Sequence, residues 1–217
     1  MIAIDGNRFR RGRFAWFLEM IADAARHRGT VRILDIGGTV QHWRAMEDLW
    51  KDYTVDITVV NLDAEITDEG PLHQRPGNAC DMSQYPDLSF DIVYSNSVIE
   101  HVGHWSEMSL MGAEIERLAP AYFVQTPNFG FPVEPHYRSL FFHWYPEIIR
   151  AAMLLKRRHG FRGPYRDLNS AMRDVQSVNL LNGQQMQVLF PSGTLRREMI
   201  LGFTKSLVMI RRGPEAI

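Results

Sequence analysis

The chain has 217 residues, 45% hydrophobic and 23% charged, with 24 Lys/Arg against 25 Asp/Glu and a formal net charge of −1. That length suits one domain burying roughly 70% of its unfolded surface, and the charge balance carries no global footprint for nucleic acid. The single cysteine, Cys80, excludes an internal disulfide framework and a thiolate metal cluster and suits a reducing compartment, so a cytoplasmic protein is expected.

The opening MIAIDGN lacks the charged and apolar regions of a signal peptide, and no stretch has the apolar length of a bilayer span, so a soluble chain is expected. Over residues 8–28, Phe9, Phe14, Trp16, Phe17, Leu18, Met20 and Ile21 recur among Arg and Glu, which predicts a helix ending at Gly29. VRILDIGGT, residues 31–39, then joins a Val/Ile/Leu run to adjacent glycines, Gly37 and Gly38. Such a run predicts a buried parallel strand, and the glycines let the backbone turn tightly and approach a ligand; taken alone, the stretch is equally an ordinary strand and turn. Trp43, Met46, Leu49 and Trp50 predict an amphipathic helix over 42–51.

DITVVNL, residues 56–62, predicts a second strand. It ends at Asn61 and Asp63, about 23 residues beyond the glycine turn, the offset expected of a ribose-binding side chain. GNACDM (77–82) predicts a brief strand, FDIVY (90–94) a clear one, 103–118 a helix and AYFVQ (121–125) another strand before the Pro/Gly-rich TPNFGFPVEP. Residues 136–185 interrupt this rhythm with aromatics, a helical pattern and a polar Asn/Gln stretch. Strands at 194–201 and 205–211, joined through Gly202, close the chain with hairpin spacing. The pattern predicts a single α/β domain over 1–217 with a mostly parallel sheet, its insertion at 127–185 read as a lid. The basic clusters RFRRGR (8–13) and KRRH (156–159) read as solvated faces or helix ends, although KRRH follows an apolar run, 140–155, suited to a membrane or a partner.

Four stretches in order, ILDIGGT, the end of the second strand, CDM and FDIVYSNSVIEHV, resemble class I S-adenosylmethionine-dependent methyltransferases across nearly the whole chain. TPN-FP-EPH resembles a signature of bacterial methyltransferases found near polysaccharide-assembly enzymes. The resemblance implies a Rossmann-like methyltransferase sandwich with a mostly parallel seven-stranded sheet and a terminal antiparallel strand. It implies S-adenosylmethionine as cofactor, with Asp35, Gly37, Gly38 and Thr39 shaping the first loop, Asn61, Leu62 and Asp63 serving the ribose, Asp81 and Met82 the adenine, and the Ser95 carbonyl the methionine ammonium. For Asp81 the other reading is a capping turn. Two departures stand out. The glycines are adjacent rather than spaced as GxGxG, and Asn61, a weaker acceptor than a carboxylate, ends the second strand. GGTVQH is also not G-x-G-x-x-G, which disfavours a nicotinamide enzyme.

Candidate catalytic residues fall in two stretches. Glu100 and His101 end SNSVIEH; some related methyltransferases hold a divalent ion with a Glu-x-x-Glu-His set, but Ser97 replaces the first Glu, so no metal is expected. His101 suits a general base, or a loop-holding role. In EPHYRSLFFHW, Glu134 and His136 suit an orienter and a base, Tyr137 and Trp144 offer π faces to a cation or substrate, and Phe131, Phe141 and Phe142 suit lid packing. The expected function is methyl transfer to a small-molecule or saccharide-type acceptor. Two alternatives stay open: intramolecular displacement within the cofactor, giving a small-ring amino acid or lactone plus methylthioadenosine, and a non-catalytic module binding a partner through residues 136–159.

Overall fold

The computed structural model describes residues 6–213, with side chains from residue 11 onward. Met1–Asp5, Arg8, Phe9 and Arg10, on which part of the leader, helix and basic-cluster readings rest, lie outside the described residues or side chains. The chain divides into two units, the first comprising residues up to 96, 110–124 and 210 onward, the second 97–109 and 125–209.

The first unit begins with helix α1 (Gly6–Ala25) and strand β1 (Val31–Ile36), in which only Arg32 is exposed. Helices α2 (Val40–Ala45) and α3 (Glu47–Trp50) lead to β2 (Val55–Asn61), β3 (Thr67–Glu69), β4 (Leu72–Pro76) and β5 (Ile92–Asn96). Helix α4 (Trp105–Leu118) and strand β6 (Ala121–Pro127) belong partly to each unit. The strand order in the first unit is β3-β4-β2-β1-β5-β6. β1 pairs in parallel with β2 and β5, β2 in parallel with β4, and β3 closes that edge antiparallel to β4. Strands covered on both faces gain from apolar side chains in both directions, which is why β1 reads as a continuous apolar run.

Phe14 and Phe17 of α1 pack against Trp43 and Tyr94, and the Tyr94 ring stacks on Phe123 with centroids 5.5 Å apart. Inside this aromatic core sits one carboxyl group, Asp35, fully buried at the end of β1, where the Trp43 indole N–H donates to its Oδ2 at 2.7 Å.

The second unit adds β7 (Val133–Glu134), β8 (Ser139–Leu140), α5 (Glu147–Lys156), α6 (Leu168–Gln176), α7 (Gly183–Leu189), β9 (Thr194–Ile200) and β10 (Phe203–Arg211). Its strand order is β6-β10-β9, with β7 and β8 a separate antiparallel pair. Leu201 and Gly202, with φ of 48° and 83°, join β9 to β10 through the two consecutive positive-φ residues that a tight hairpin turn requires. Asn182 and Gln185 form a reciprocal capping box at the start of α7, satisfying two backbone donors. Among the described residues, no helix is long and apolar enough to cross a membrane.

The fold is α/β with a mostly parallel sheet and antiparallel strands at its ends, as the sequence predicts. Four elements differ from expectation. β3 adds a strand beyond the seven expected, because TDE at the sheet edge buries no apolar side chain and leaves no pattern. The strand expected at 77–82 is a turn bridged between Asn78 and Asp81, and the strand lies earlier, at β4, where LHQRP buries only Leu72 and carries no apolar run. The helix expected over 42–51 breaks at Met46, whose φ of −112° departs from helical geometry. The first helix ends at Ala25, ahead of Gly29.

Burial pushes the Asp35 carboxyl up to about 7 against the opposing indole hydrogen bond. In the unfolded chain it ionises near the ordinary value of about 4. Between those values the folded state alone holds the proton, so stability from this group falls as pH rises from about 4 to about 7, by on the order of 4 kcal/mol at most. Denaturant unfolding across that range should show this decline, and Asp35→Asn should make it shallower, leaving the share of the buried Glu100, which is also raised to about 7; an unchanged profile in the variant would contradict the assignment.

Candidate functional site

The glycine turn follows directly from β1. Gly37 adopts φ 79° and donates its N–H to the Val60 carbonyl at 2.7 Å, a conformation open chiefly to glycine. At Gly38 a Cβ would overlap the Asp35 carboxylate, so the second glycine is required by the buried acid beneath it. Thr39 then caps α2, its hydroxyl accepting from the His42 N–H at 3.2 Å. Asn61, at the end of β2, directs its amide toward the Gly37 and Gly38 carbonyls at 3.4 Å each and accepts from the Leu62 N–H at 2.9 Å. Its side chain therefore ties the two strand ends together.

These ends border an open cavity of about 420 Å³ lined by Gly38, Thr39, Asn61, Asp63, Glu65 and Gln74. Among the described residues the lining includes two carboxylates and no Lys or Arg, a donor set suited to hydroxyls and to a cationic ligand and unsuited to a pyrophosphate. A larger cavity, about 600 Å³, lies beside the start of β5 and is lined by Arg26, His27, Arg28 and Asp91 among others. Ligands of parallel α/β sheets bind outside the carboxyl ends of the strands, which favours the smaller cavity. Asp91 in the larger one is already paired with Arg28 and Arg32.

The remaining residues expected at this site differ in placement. Leu62 and Asp63 are exposed beside the cavity. Ser95 is buried, its hydroxyl donating to the Ile36 carbonyl at 3.2 Å. Asp81 is exposed and accepts from the Ser83 N–H at 3.2 Å in a turn-capping contact, and the Ser83 hydroxyl together with that N–H holds its carboxyl below the usual range. Met82 is buried, with its N–H donating to Glu114 and its carbonyl accepting from Arg117. The backbone that the resemblance assigns to the adenine is thus occupied by an ion-paired couple, Glu114 and Arg117, that no motif signalled.

A second cluster lies wholly in the second unit. Glu100 and His101 sit on a short 3-10 turn, Ile99–His101, and His136 follows β7. The Nε2 atoms of His101 and His136 are 3.1 Å apart, with their rings nearly perpendicular. His101 Nδ1 lies 3.0 Å from the Ser177 carbonyl, and His136 Nδ1 lies 2.7 Å from Glu134 Oε1. The buried Glu134 also accepts the Tyr137 N–H through Oε2 at 2.6 Å. Glu100 is fully buried, one oxygen accepting from the Thr126 hydroxyl at 2.9 Å, and burial pushes its carboxyl up to about 7. Desolvation lowers His101 below the ordinary histidine value, against the opposing pull of the Ser177 carbonyl.

Glu100, His101 and His136 are therefore brought together, whereas Tyr137 is placed otherwise. Its ring is buried and stacked on Phe142, centroids 4.2 Å apart, and its hydroxyl donates to the Asp174 carboxylate at 3.0 Å. Burial beside that carboxylate raises the Tyr137 phenol, so it stays protonated. At 1% exposure the ring sits in packing contact, where the sequence expectation had it facing a cation or substrate. Trp144 remains half exposed, its indole donating to the Phe129 carbonyl at 3.0 Å. His159 of the KRRH cluster is buried against Phe142 and the Ser139 hydroxyl, so that cluster is only partly a solvated face. Arg162, Asp174, Ser177 and Asn179 were not singled out by sequence. Asn179 holds the 3-10 turn by donating to the carbonyls of Glu100 and Gly103 at 2.8 and 2.9 Å.

Residues 34–120 match a family model described as a methyltransferase domain. None of the curated proteins matches the sequence. Among solved structures, a candidate exported protein of Bordetella parapertussis is 13% identical, with 99% of this chain and 70% of that one covered and a TM-score of 0.55. A Pyrococcus horikoshii protein is 14% identical, with 98% and 94% covered and a TM-score of 0.53. A candidate sarcosine dimethylglycine methyltransferase of Galdieria sulphuraria is 12% identical, with 86% and 63% covered and a TM-score of 0.52. At these identities the likeness is one of fold.

Asp174 carries the polar contacts beneath Tyr137, pairing also with Arg162 at 2.5 Å. Asp174→Ala should destabilise the chain by about 3 kcal/mol, because it leaves a buried hydroxyl and a half-buried guanidinium without their acceptor. Urea unfolding measures this, and a loss below about 0.5 kcal/mol, typical of a surface position, would contradict it.

Proposed function

We propose that this chain is an S-adenosylmethionine-dependent methyltransferase acting on a small-molecule or saccharide-type acceptor. The observation that carries the reading is the cavity at the ends of β1 and β2, anionic in its lining and inside the segment that matches the methyltransferase domain model. The ligand chemistry fits those residues: ribose hydroxyls need acceptors such as Asp63 and Asn61, a sulfonium and an ammonium favour nearby carboxylates and carbonyls, and no phosphate requires a basic cradle.

In this reading Gly37, Gly38 and Thr39 form the first loop over Asp35, Asn61, Leu62 and Asp63 serve the ribose, Asp81 the adenine edge, and the Ser95 carbonyl the ammonium. The Met82 backbone keeps its bonds to Glu114 and Arg117, so its share is apolar contact. When bound, S-adenosylmethionine supplies an electrophilic methyl group. The chain's own part is to orient acceptor and cofactor, which in a displacement at carbon supplies much of the acceleration. For a hydroxyl acceptor a base is also needed. His136 suits that role, since Glu134 holds its Nδ1–H and would stabilise the imidazolium formed when Nε2 takes the proton.

Incubation with S-adenosylmethionine and candidate hydroxyl acceptors should yield S-adenosylhomocysteine only when an acceptor is present. His136→Ala should lower that turnover by about 100-fold to 10,000-fold without weakening cofactor affinity. Methylthioadenosine accumulating from cofactor alone would replace methyl transfer with intramolecular displacement.

A further inference from the structure

Each histidine of the second unit's polar cluster has one ring nitrogen committed by its neighbour. The Ser177 carbonyl can only accept, so His101 Nδ1, 3.0 Å from it, carries hydrogen. The Glu134 carboxylate likewise accepts from His136 Nδ1 at 2.7 Å. A neutral imidazole has a single N–H, so in both rings Nε2 presents a lone pair. Those two lone pairs face each other at 3.1 Å, an arrangement that calls for a cation shared by both. Glu100 provides a third donor. Its Oε2 is anchored by Thr126, while its buried Oε1 has no hydrogen-bond partner among the described residues. One carboxylate oxygen of Glu100 and a ring nitrogen from each histidine all lie within 4.8 Å of one another.

We propose that Glu100, His101 and His136 form a divalent-metal site, with zinc the ion best suited to its two imidazoles and one carboxylate. Two nitrogens bound about 2.0–2.1 Å from one tetrahedral zinc ion are separated by about 3.3–3.4 Å, and the Nε2 atoms at 3.1 Å need open only slightly to reach that spacing. The outer contacts fit as well: metal-bound histidines donate their other N–H to a carbonyl or a carboxylate, which fixes tautomer and ring orientation. Ser97, whose hydroxyl donates to Gln125 at 2.9 Å, is not needed, because His136 from 35 residues further along completes the set. Three protein ligands leave a coordination position open to water or to an acceptor oxygen, whose pKa the ion would lower. Ion binding and a base role for His136 exclude one another, because both use the Nε2 lone pair left by the Glu134 contact; the binding test itself does not depend on the methyltransferase reading.

The test uses the full chain, stripped by chelator and titrated calorimetrically with Zn²⁺, and separately with Co²⁺, whose visible spectrum reports nitrogen and oxygen ligation. Saturable binding at a single equivalent is expected, weakened at least about 100-fold in Glu100→Gln and in His136→Ala. His73→Ala, which removes an imidazole between Asp56 and Asp68, should retain it. If His136→Ala proves unfolded by circular dichroism, imidazole ¹⁵N resonances of the parent decide: Zn²⁺ should shift Nε2 of both His101 and His136 and leave both Nδ1 atoms protonated. No saturable binding, binding unaffected by loss of His136 in a folded variant, binding abolished by His73→Ala, or unshifted Nε2 resonances would each overturn the proposal and leave a shared proton as the cation between the rings.

Discussion

The carboxyl group of Asp35, sealed at the end of β1 and held by the Trp43 indole, is the constraint around which the first unit is arranged. A buried acid is costly unless hydrogen-bonded or protonated, and here the indole supplies one bond while burial favours the protonated form. Because the carboxylate fills the space where a side chain at position 38 would stand, the chain must pass over it as glycine. Gly37 then takes a positive φ, Thr39 opens α2, and α2 returns Trp43 to the acid. Strand end, turn and helix start thus form one closed loop of dependencies, and the cavity beside it inherits its wall.

That loop was largely legible from VRILDIGGT, because a strand covered on both faces and a pair of glycines leave strong local signals. The weaker elements were legible only where burial was one-sided. β3 and β4 lie at a sheet edge, and LHQRP places a single side chain in the core, so no periodicity marks it. Trp43, Met46 and Trp50 keep helical spacing across the break at Met46, since all three are buried although the backbone is not continuous helix. Spacing reports which side chains face the core, and not how the backbone brings them there.

Within the second unit the Glu134–His136 pair was readable because its members are two residues apart. The meeting of His101 with His136 was not, since it depends on a 3-10 turn held by Asn179 and on a loop beginning at β7. Tyr137 shows the opposite limit. Its neighbours in EPHYR are polar, yet α5 and α6 supply Ala151, Leu154, Ala171 and Val175 to the apolar cluster around its ring, with Asp174 reaching its hydroxyl. An aromatic flanked by polar residues looks like a substrate wall until the helices that cover it are placed.

The central claim is that the cavity at the ends of β1 and β2 binds the cofactor. The most direct measurement is an amide ¹H–¹⁵N titration of the full chain with S-adenosylhomocysteine. The account predicts saturable shifts at Gly37, Gly38, Thr39, Asn61, Leu62 and Asp63. Shifts confined to Arg26, His27 and Arg28 around the larger cavity, or no shifts at millimolar ligand, would contradict it.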